Sequence, residues 1–298
     1  MTFDDIKDVL TFSAFRPEPD DRQAPWSRRF SEKNTLLLNI GRGQTSWKAV
    51  GKGGKLLDGG IQHGDFKEIA SRLSAEWRAL TDDGWCAVSL NTRYAISLET
   101  NVSRKPGVEE LIRSNPRVVL GARYERGKRY VFVNNPESLG TVLLTVDEEQ
   151  IKLLETQLKE IGLKAGRICC GSYAMLRRLL ETVHTGADKD AAKDNSLAQQ
   201  ATFLNVICCE GAVCAMLENG DVWTDLRSRS DLYKEGDYEG IFEILKPLIA
   251  RLSGAGGIRF ASDGVDTVCL QELRKRYPDI SLTEYSGPDH LWRLMADL

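Results

Sequence analysis

Gly41, Gly43, Gln44, Thr45 and Ser46 follow an apolar run, Thr35-Leu36-Leu37-Leu38-Asn39-Ile40, and lead into a second extended run, Trp47-Lys48-Ala49-Val50. Glycines accept backbone angles that other residues avoid, so exposed N–H groups and the Thr45 and Ser46 hydroxyls can converge on an anion. That is the chemistry of a phosphate cradle. The competing reading is an ordinary glycine hairpin, and it is favoured because the known glycine-rich phosphate loops run from a strand into a helix. Other reactive residue types form no constellation. His63, His184 and His290 stand apart from any paired cysteine or carboxylate at ligand spacing, and Cys169-Cys170 and Cys208-Cys209 sit in strand-like apolar runs where thiols are core residues. No catalytic residue and no metal ligand is assigned.

Composition narrows the function classes. The chain has 298 residues, 42% of them hydrophobic, with a net charge of -3 and seven cysteines. That length supports a large core and about two domains. The interleaved charges do not make the basic surface that nucleic acid requires. An odd cysteine count without CxxC spacing fits a reducing cytoplasm better than a disulfide framework. No run approaches the ~20 apolar residues of a membrane span, and the N-terminus lacks the apolar core of a signal peptide.

The elements that would position the loop follow in order. Residues 1–34 read as a polar arm with Phe12, Phe15, Trp26 and Phe30 among charges and prolines. The hairpin within Thr35–Val50 and a third strand at Leu56–Ile61 form a three-stranded meander, followed by a helix with Phe66, Ile69, Leu73 and Trp77 at helical spacing. Strands are expected at Trp85–Leu90 and Tyr94–Val102, a helix at Pro106–Arg113, and a hairpin from Arg117–Tyr124 and Lys128–Asn134 around Glu125-Arg126-Gly127. Thr141–Val146, a helix with Ile151, Leu154, Leu158 and Ile161, Leu163–Cys170 and a helix at Tyr173–Val183 read as a parallel α/β layer. The polar stretch 185–200 reads as a linker. Beyond it, Ala201–Cys209, Ala212–Glu218 and Val222–Leu226 make a second meander with an Asn219-Gly220 turn. A helix at Gly240–Leu252, a strand at Gly257–Ser262, a helix at Val265–Arg276 and a strand at Ile280–Tyr285 complete the chain.

The two halves therefore repeat one plan, a meander leading into helix and strand, and this resembles the duplicated α/β domains of actin, heat-shock chaperones and sugar kinases. Leu36–Val50, Leu143–Leu180 with its Ile161-Gly162-Leu163-Lys164 turn, and Phe203-Leu204-Asn205-Val206 with Ala212–Met216 and Glu218-Asn219-Gly220 resemble PilM-type pilus-assembly proteins and the cytoplasmic domain of GspL-type secretion proteins. The implied fold is α/β and actin-like (ribonuclease H-like), with each domain a mixed sheet opening with an antiparallel meander and flanked by helices. Domain 1 would span 35–184 with a small inserted subdomain near 85–135, and domain 2 would span 201–298.

The same resemblance locates a nucleotide cleft. Active members of the fold place an aspartate before the first glycine and another in the second meander, where they position metal and water, and Asn39 and Asn205 stand at those places. A neutral amide neither balances Mg²⁺ nor acts as a general base. Gly41, Gly43, Gln44, Thr45 and Ser46 would be the remnant of the first phosphate loop. Ile207, Cys208, Cys209 and Glu210 replace the second, and Ser262-Asp263-Gly264 is what remains of the adenosine-side run. The resemblance implies a cytoplasmic scaffold of a type IV pilus or type II secretion platform. It would hold an inner-membrane partner of the PilN kind, link it to the assembly ATPase, and need no cofactor. An active ATPase or phosphotransferase binding ATP with Mg²⁺ is the alternative, and a regulatory module outside any membrane complex is a third class.

Overall fold

The computed structural model describes residues 30, 32–41, 43–91, 95–100, 111, 114–134, 141–185, 201–209, 212–219, 222–229, 239–253, 256–263, 268–287 and 289–296. The first sheet is built from β1 (Thr35–Ile40), β2 (Gln44–Gly51), β3 (Lys55–His63), β4 (Trp85–Leu90) and β8 (Lys164–Cys170), in the order β3-β2-β1-β4-β8. The second uses β9 (Thr202–Cys209), β10 (Ala212–Asn219), β11 (Val222–Arg229), β12 (Ile258–Ser262) and β13 (Leu282–Glu284), in the order β11-β10-β9-β12-β13. Each sheet is an antiparallel meander extended by two parallel strands. Parallel neighbours need a crossover, so helices must cover both faces.

Those helices are α1 (Phe66–Ala79) and α3 (Glu148–Glu160) on the outer face of the first sheet, and α5 (Glu239–Ile249) and α6 (Val268–Arg276) on the outer face of the second. The sequence sets α1 locally. Asp65 caps it by accepting a hydrogen bond from the Lys67 amide at 2.9 Å, and Ile69, Ala70 and Trp77 recur on the buried face. Trp77 meets Trp47 of β2 edge-on, with ring centroids 5.7 Å apart. α4 (Gly171–Thr185) and α7 (His290–Met295) follow the fifth strand of the first and second sheet respectively. Both lie between the sheets, and each reaches across. α4 packs on β9, β10 and β12, while α7 packs on β4 and α4.

A third sheet is a departure from the expected layer. β5 (Ala95–Thr100), β6 (Lys128–Asn134) and β7 (Thr141–Asp147) form it in the order β5-β7-β6, all antiparallel. Thr141–Asp147 is thus a strand as expected, but it pairs away from β8. The expected hairpin across Glu125-Arg126-Gly127 is replaced too. Pro116 occupies the first turn of a short helix, α2 (Pro116–Leu120), which continues as a 3₁₀ turn through Arg123. The pyrrolidine ring fixes the helical φ and needs no N–H partner there.

Two further differences concern the ends. Phe30, read as part of a polar arm, is 1% exposed and belongs to the core between the sheets. α7 was not expected from periodicity, and it buries Leu291, Trp292 and Met295 in the same core. The stretch 186–200, Glu210, Gly264 and residues 1–29 lie outside the described residues, as does nearly all of the helix expected at Pro106–Arg113. Among the described residues no helix is long and apolar enough to cross a membrane.

Candidate functional site

Asn39 is the next-to-last residue of β1. It is paired in register with Ser46 on β2 and Ser89 on β4, and Ser46 and Ser89 are in turn opposite Ile61 and Cys169. Register partners share a sheet face, and Leu37 and Ala87, two residues earlier, belong to the core between the sheets. Ser46, Asn39 and Ser89 therefore form a polar row that faces the second sheet. Asn39 is 3% exposed and Ser89 is fully buried, with its hydroxyl lacking a hydrogen-bond partner among the described residues.

Strand alternation separates Thr45 from this row. Its neighbour Trp47 packs in the outer core with α1, and Thr45, opposite Ile40, is buried on the same side with its hydroxyl unpartnered among the described residues. Thr45 and Ser46 therefore cannot serve one ligand together on the inter-sheet face. The loop also uses its own amides. Gly41 N–H donates to the Gln44 carbonyl at 3.0 Å, and the Gly43 carbonyl accepts from Gly64 N–H at 2.8 Å. Gly43 has φ of 68°, with open space where a side chain would stand.

On the second sheet the facing side chains include Ile207, Cys209, Cys214, Met216 and Ala261. Gly171, which opens α4, lies where the two sheets meet. A Cβ built on it would come 2.6 Å from Ser89 Oγ, 3.2 Å from Leu291 Cδ1 and 3.5 Å from Cys209 Sγ. Four elements converge on that point. Asp263 follows β12 directly, with its N–H donating to the Cys208 carbonyl at 3.2 Å and the residue 6% exposed.

Asn205 is elsewhere. It lies inside β9, four residues before the strand ends, and its Nδ2 donates to Glu218 Oε2 at 3.0 Å. Arg259 Nη1 reaches the same oxygen at 2.7 Å, and its guanidinium stacks on Phe203 with its carbon 3.7 Å from the ring centroid. Alternation along β9 sends Cys208 to the outer core, whereas Asn205 shares the inter-sheet face with Ile207 and Cys209 and lies two and four residues deeper than they do. Asn205 thus faces the first sheet, as Asn39 faces the second, but its amide is engaged with a buried ion pair away from the strand end.

Sequence reasoning missed Ser89, Gly171 and Leu291. Ser89 is the one polar residue in Trp-Cys-Ala-Val-Ser-Leu, a detectable signal, whereas Gly171 and Leu291 gain meaning only once the two sheets are placed. Lys48 and Asp289 were also missed. Their 2.7 Å ion pair ties β2 to the start of α7, where Asp289 adopts a left-handed φ of 58°.

A magnesium ion takes hard oxygen ligands, carboxylates above all. The Ser46, Asn39 and Ser89 row offers two hydroxyls and an amide, and a thiol and a leucine fill the space beside it. This row by itself lacks the carboxylate that magnesium favours, and Asp263 is the buried carboxylate at the end of β12.

No protein-family model matches the chain, and no curated protein matches it. Solved structures do. A Bacteroides thetaiotaomicron protein with an actin-like ATPase fold and unknown function is similar over 90% of this chain and 97% of its own, at 9% identity and a TM-score of 0.51. The PilM-PilN type IV pilus biogenesis complex is similar over 87% and 89%, at 13% identity and a TM-score of 0.50. The cytoplasmic domain of EpsL, an inner membrane component of the type II secretion system of Vibrio cholerae, is similar over 89% and 93%, at 10% identity and 0.47. At these identities the likeness is one of fold. The chain has the actin-like α/β fold.

Proposed function

We propose that this protein is an actin-like scaffold that works by binding rather than by nucleotide turnover, in the cytoplasmic part of a type IV pilus or type II secretion platform. The observation that carries the reading is the convergence of Ser89, Cys209 and Leu291 on Gly171, which makes the meeting point of the sheets a packed, largely apolar contact. A cleft that hydrolyses nucleotide must admit phosphates, metal and water between those strand ends. Asn39 in place of a carboxylate supports the same reading. The pilus setting rests on the fold shared with the PilM-PilN complex, and the partner would be an inner-membrane platform protein. The remnant site consists of Asn39, Gly41, Gly43, Gln44 and Ser46, with Asp263 across the junction.

Asp263 favours the second reading, an active ATPase or phosphotransferase, because it is a buried carboxylate at a strand end. Isothermal titration with Mg-ATP, run beside co-purification with the inner-membrane pilus and secretion proteins of the same cell, separates the two. The scaffold reading expects no heat from Mg-ATP and recovery of an identified platform protein. Micromolar, Mg²⁺-dependent binding with slow release of phosphate would overturn it.

A further inference from the structure

A groove of about 440 Å³ runs between α1 and α3 on the outer face of the first sheet, on the far side from the inter-sheet junction. Lys67, Ser71, Ser74 and Arg78 line one wall, and Gln157, Lys159, Glu160 and Ile161 line the other. The α1 residues recur at spacings of four, three and four, so they form one stripe. It spans about 16 Å at ~1.5 Å per residue. Charge is unbalanced along it. Lys67, Arg78 and Lys159 are exposed, and none has a carboxylate partner among the described residues, in a chain whose other cations form many ion pairs. Glu160 is the single acid in the lining among the described residues.

The polar groups are also oriented. Ser71 Oγ donates to the Lys67 carbonyl at 2.9 Å, and Ser74 Oγ donates to the Ser71 carbonyl at 3.1 Å. Both hydroxyl oxygens therefore keep lone pairs for an incoming N–H. Arg78 Nε donates to the Ser74 carbonyl at 3.2 Å, which holds the side chain along the wall and leaves the terminal guanidinium nitrogens to the groove. Gly162 makes room for it. A Cβ there would stand 3.0 Å from Arg78 Cδ, and the φ of 78° suits glycine alone.

We infer that this groove binds a short acidic peptide segment of a protein partner in extended form, as a surface separate from the inter-sheet junction. Its length matches about five residues of extended chain at ~3.3 Å each. A carboxylate every second residue would meet Lys67, Arg78 and Lys159, while the serine oxygens accept backbone N–H groups. A compact anion would engage one cation and leave the others unmatched.

The test uses the full chain and a fluorescein-labelled decapeptide alternating Glu with Leu, read by anisotropy, with a Lys-for-Glu peptide as control. Binding should weaken as salt rises, and Arg78→Glu with Lys159→Glu should weaken it about ten-fold or more without changing the thermal midpoint. Arg78→Gln with Lys159→Gln, which adds no repulsion, should fall between. Equal binding of the two peptides, or no loss in either double variant, would refute the inference. Displacement of the peptide by millimolar inorganic phosphate would refute it in favour of a small-anion site. None of these outcomes bears on Mg-ATP or on recovery of a platform protein.

Discussion

Glu218 Oε2 lies 2.7 Å from Arg259 Nη1 in the interior of the second sheet, where the Glu218 side chain is 3% exposed and that of Arg259 11%. Asn205 Nδ2 donates to the same oxygen, so one carboxylate oxygen serves two donors. Burying such a pair gains little over apolar residues of the same size, but removing one partner strands the other charge, at a cost of about 3–5 kcal/mol. Glu218→Ala should therefore lower stability by about that amount in urea denaturation, and Glu218→Leu with Arg259→Met should recover most of it. Equal losses in the single and double variants would show that the charge pair is not what holds this part of the sheet.

The same triad shows where the sequence stops being legible. Both meanders, α1 and α3 could be read from it because their signals are local, namely alternation, helical spacing, the Asp65 cap and the Asn219-Gly220 turn. The faces were harder. Asn205 is thirteen residues from Glu218, and nothing local says that they share a sheet face until the β9–β10 register is known. Thr45 and Ser46 look like one hydroxyl pair until strand alternation sends them to opposite sides. Thr141–Asp147 was recognisable as a strand, but its choice of β5 and β6 over β8 is a non-local pairing decision that its own residues do not encode. Helix α7 spans six residues, too short for periodicity to show, and Phe30 is core through contacts with residues far along the chain.

Gly171 is expected to resist even alanine. The added methyl would meet Ser89 Oγ at 2.6 Å, and overpacking of a filled core costs about 1–3 kcal/mol. Ser89 carries a buried hydroxyl without a partner among the described residues, so Ser89→Ala alone should be neutral or slightly stabilising. Combined with Gly171→Ala, it should restore part of the lost stability. Chemical denaturation of the two singles and the double gives the coupling directly, and strict additivity would mean that the two residues do not crowd one another.

The cysteines at this junction should be chemically quiet. Burial pushes the Cys170 thiol up to about 12 and raises Cys214 further, so almost no thiolate is present near pH 8, the form that reacts. Cys170 keeps some exposed surface as a residue, but its thiol is enclosed. Titration with an aromatic disulfide reagent should label Cys170 and Cys214 only in denaturant, where all seven cysteines of the chain become available. Rapid labelling of either in the native protein would mean that the sheets open at this seam.

Acid should loosen the same seam from the other side. His290 opens α7, and burial first, then the positive charge of Arg178 on α4, hold its pKa below the ordinary 6.5. In the unfolded chain the ring takes a proton as pH falls through that ordinary value, whereas in the folded chain it stays neutral until lower pH. The unfolded state then binds more protons, so stability falls as pH falls across the interval between the two values, and it is fully retained above it. His290→Gln removes the titration and should flatten the loss of the denaturation midpoint between about pH 7.5 and 5.5. Hydrogen exchange adds location. Amides of α7 should exchange faster at the acidic end in the native sequence and show less change in the variant, because the proton that enters on unfolding enters at the helix that bridges the sheets. An acid response of equal size in both proteins would assign it to groups other than His290.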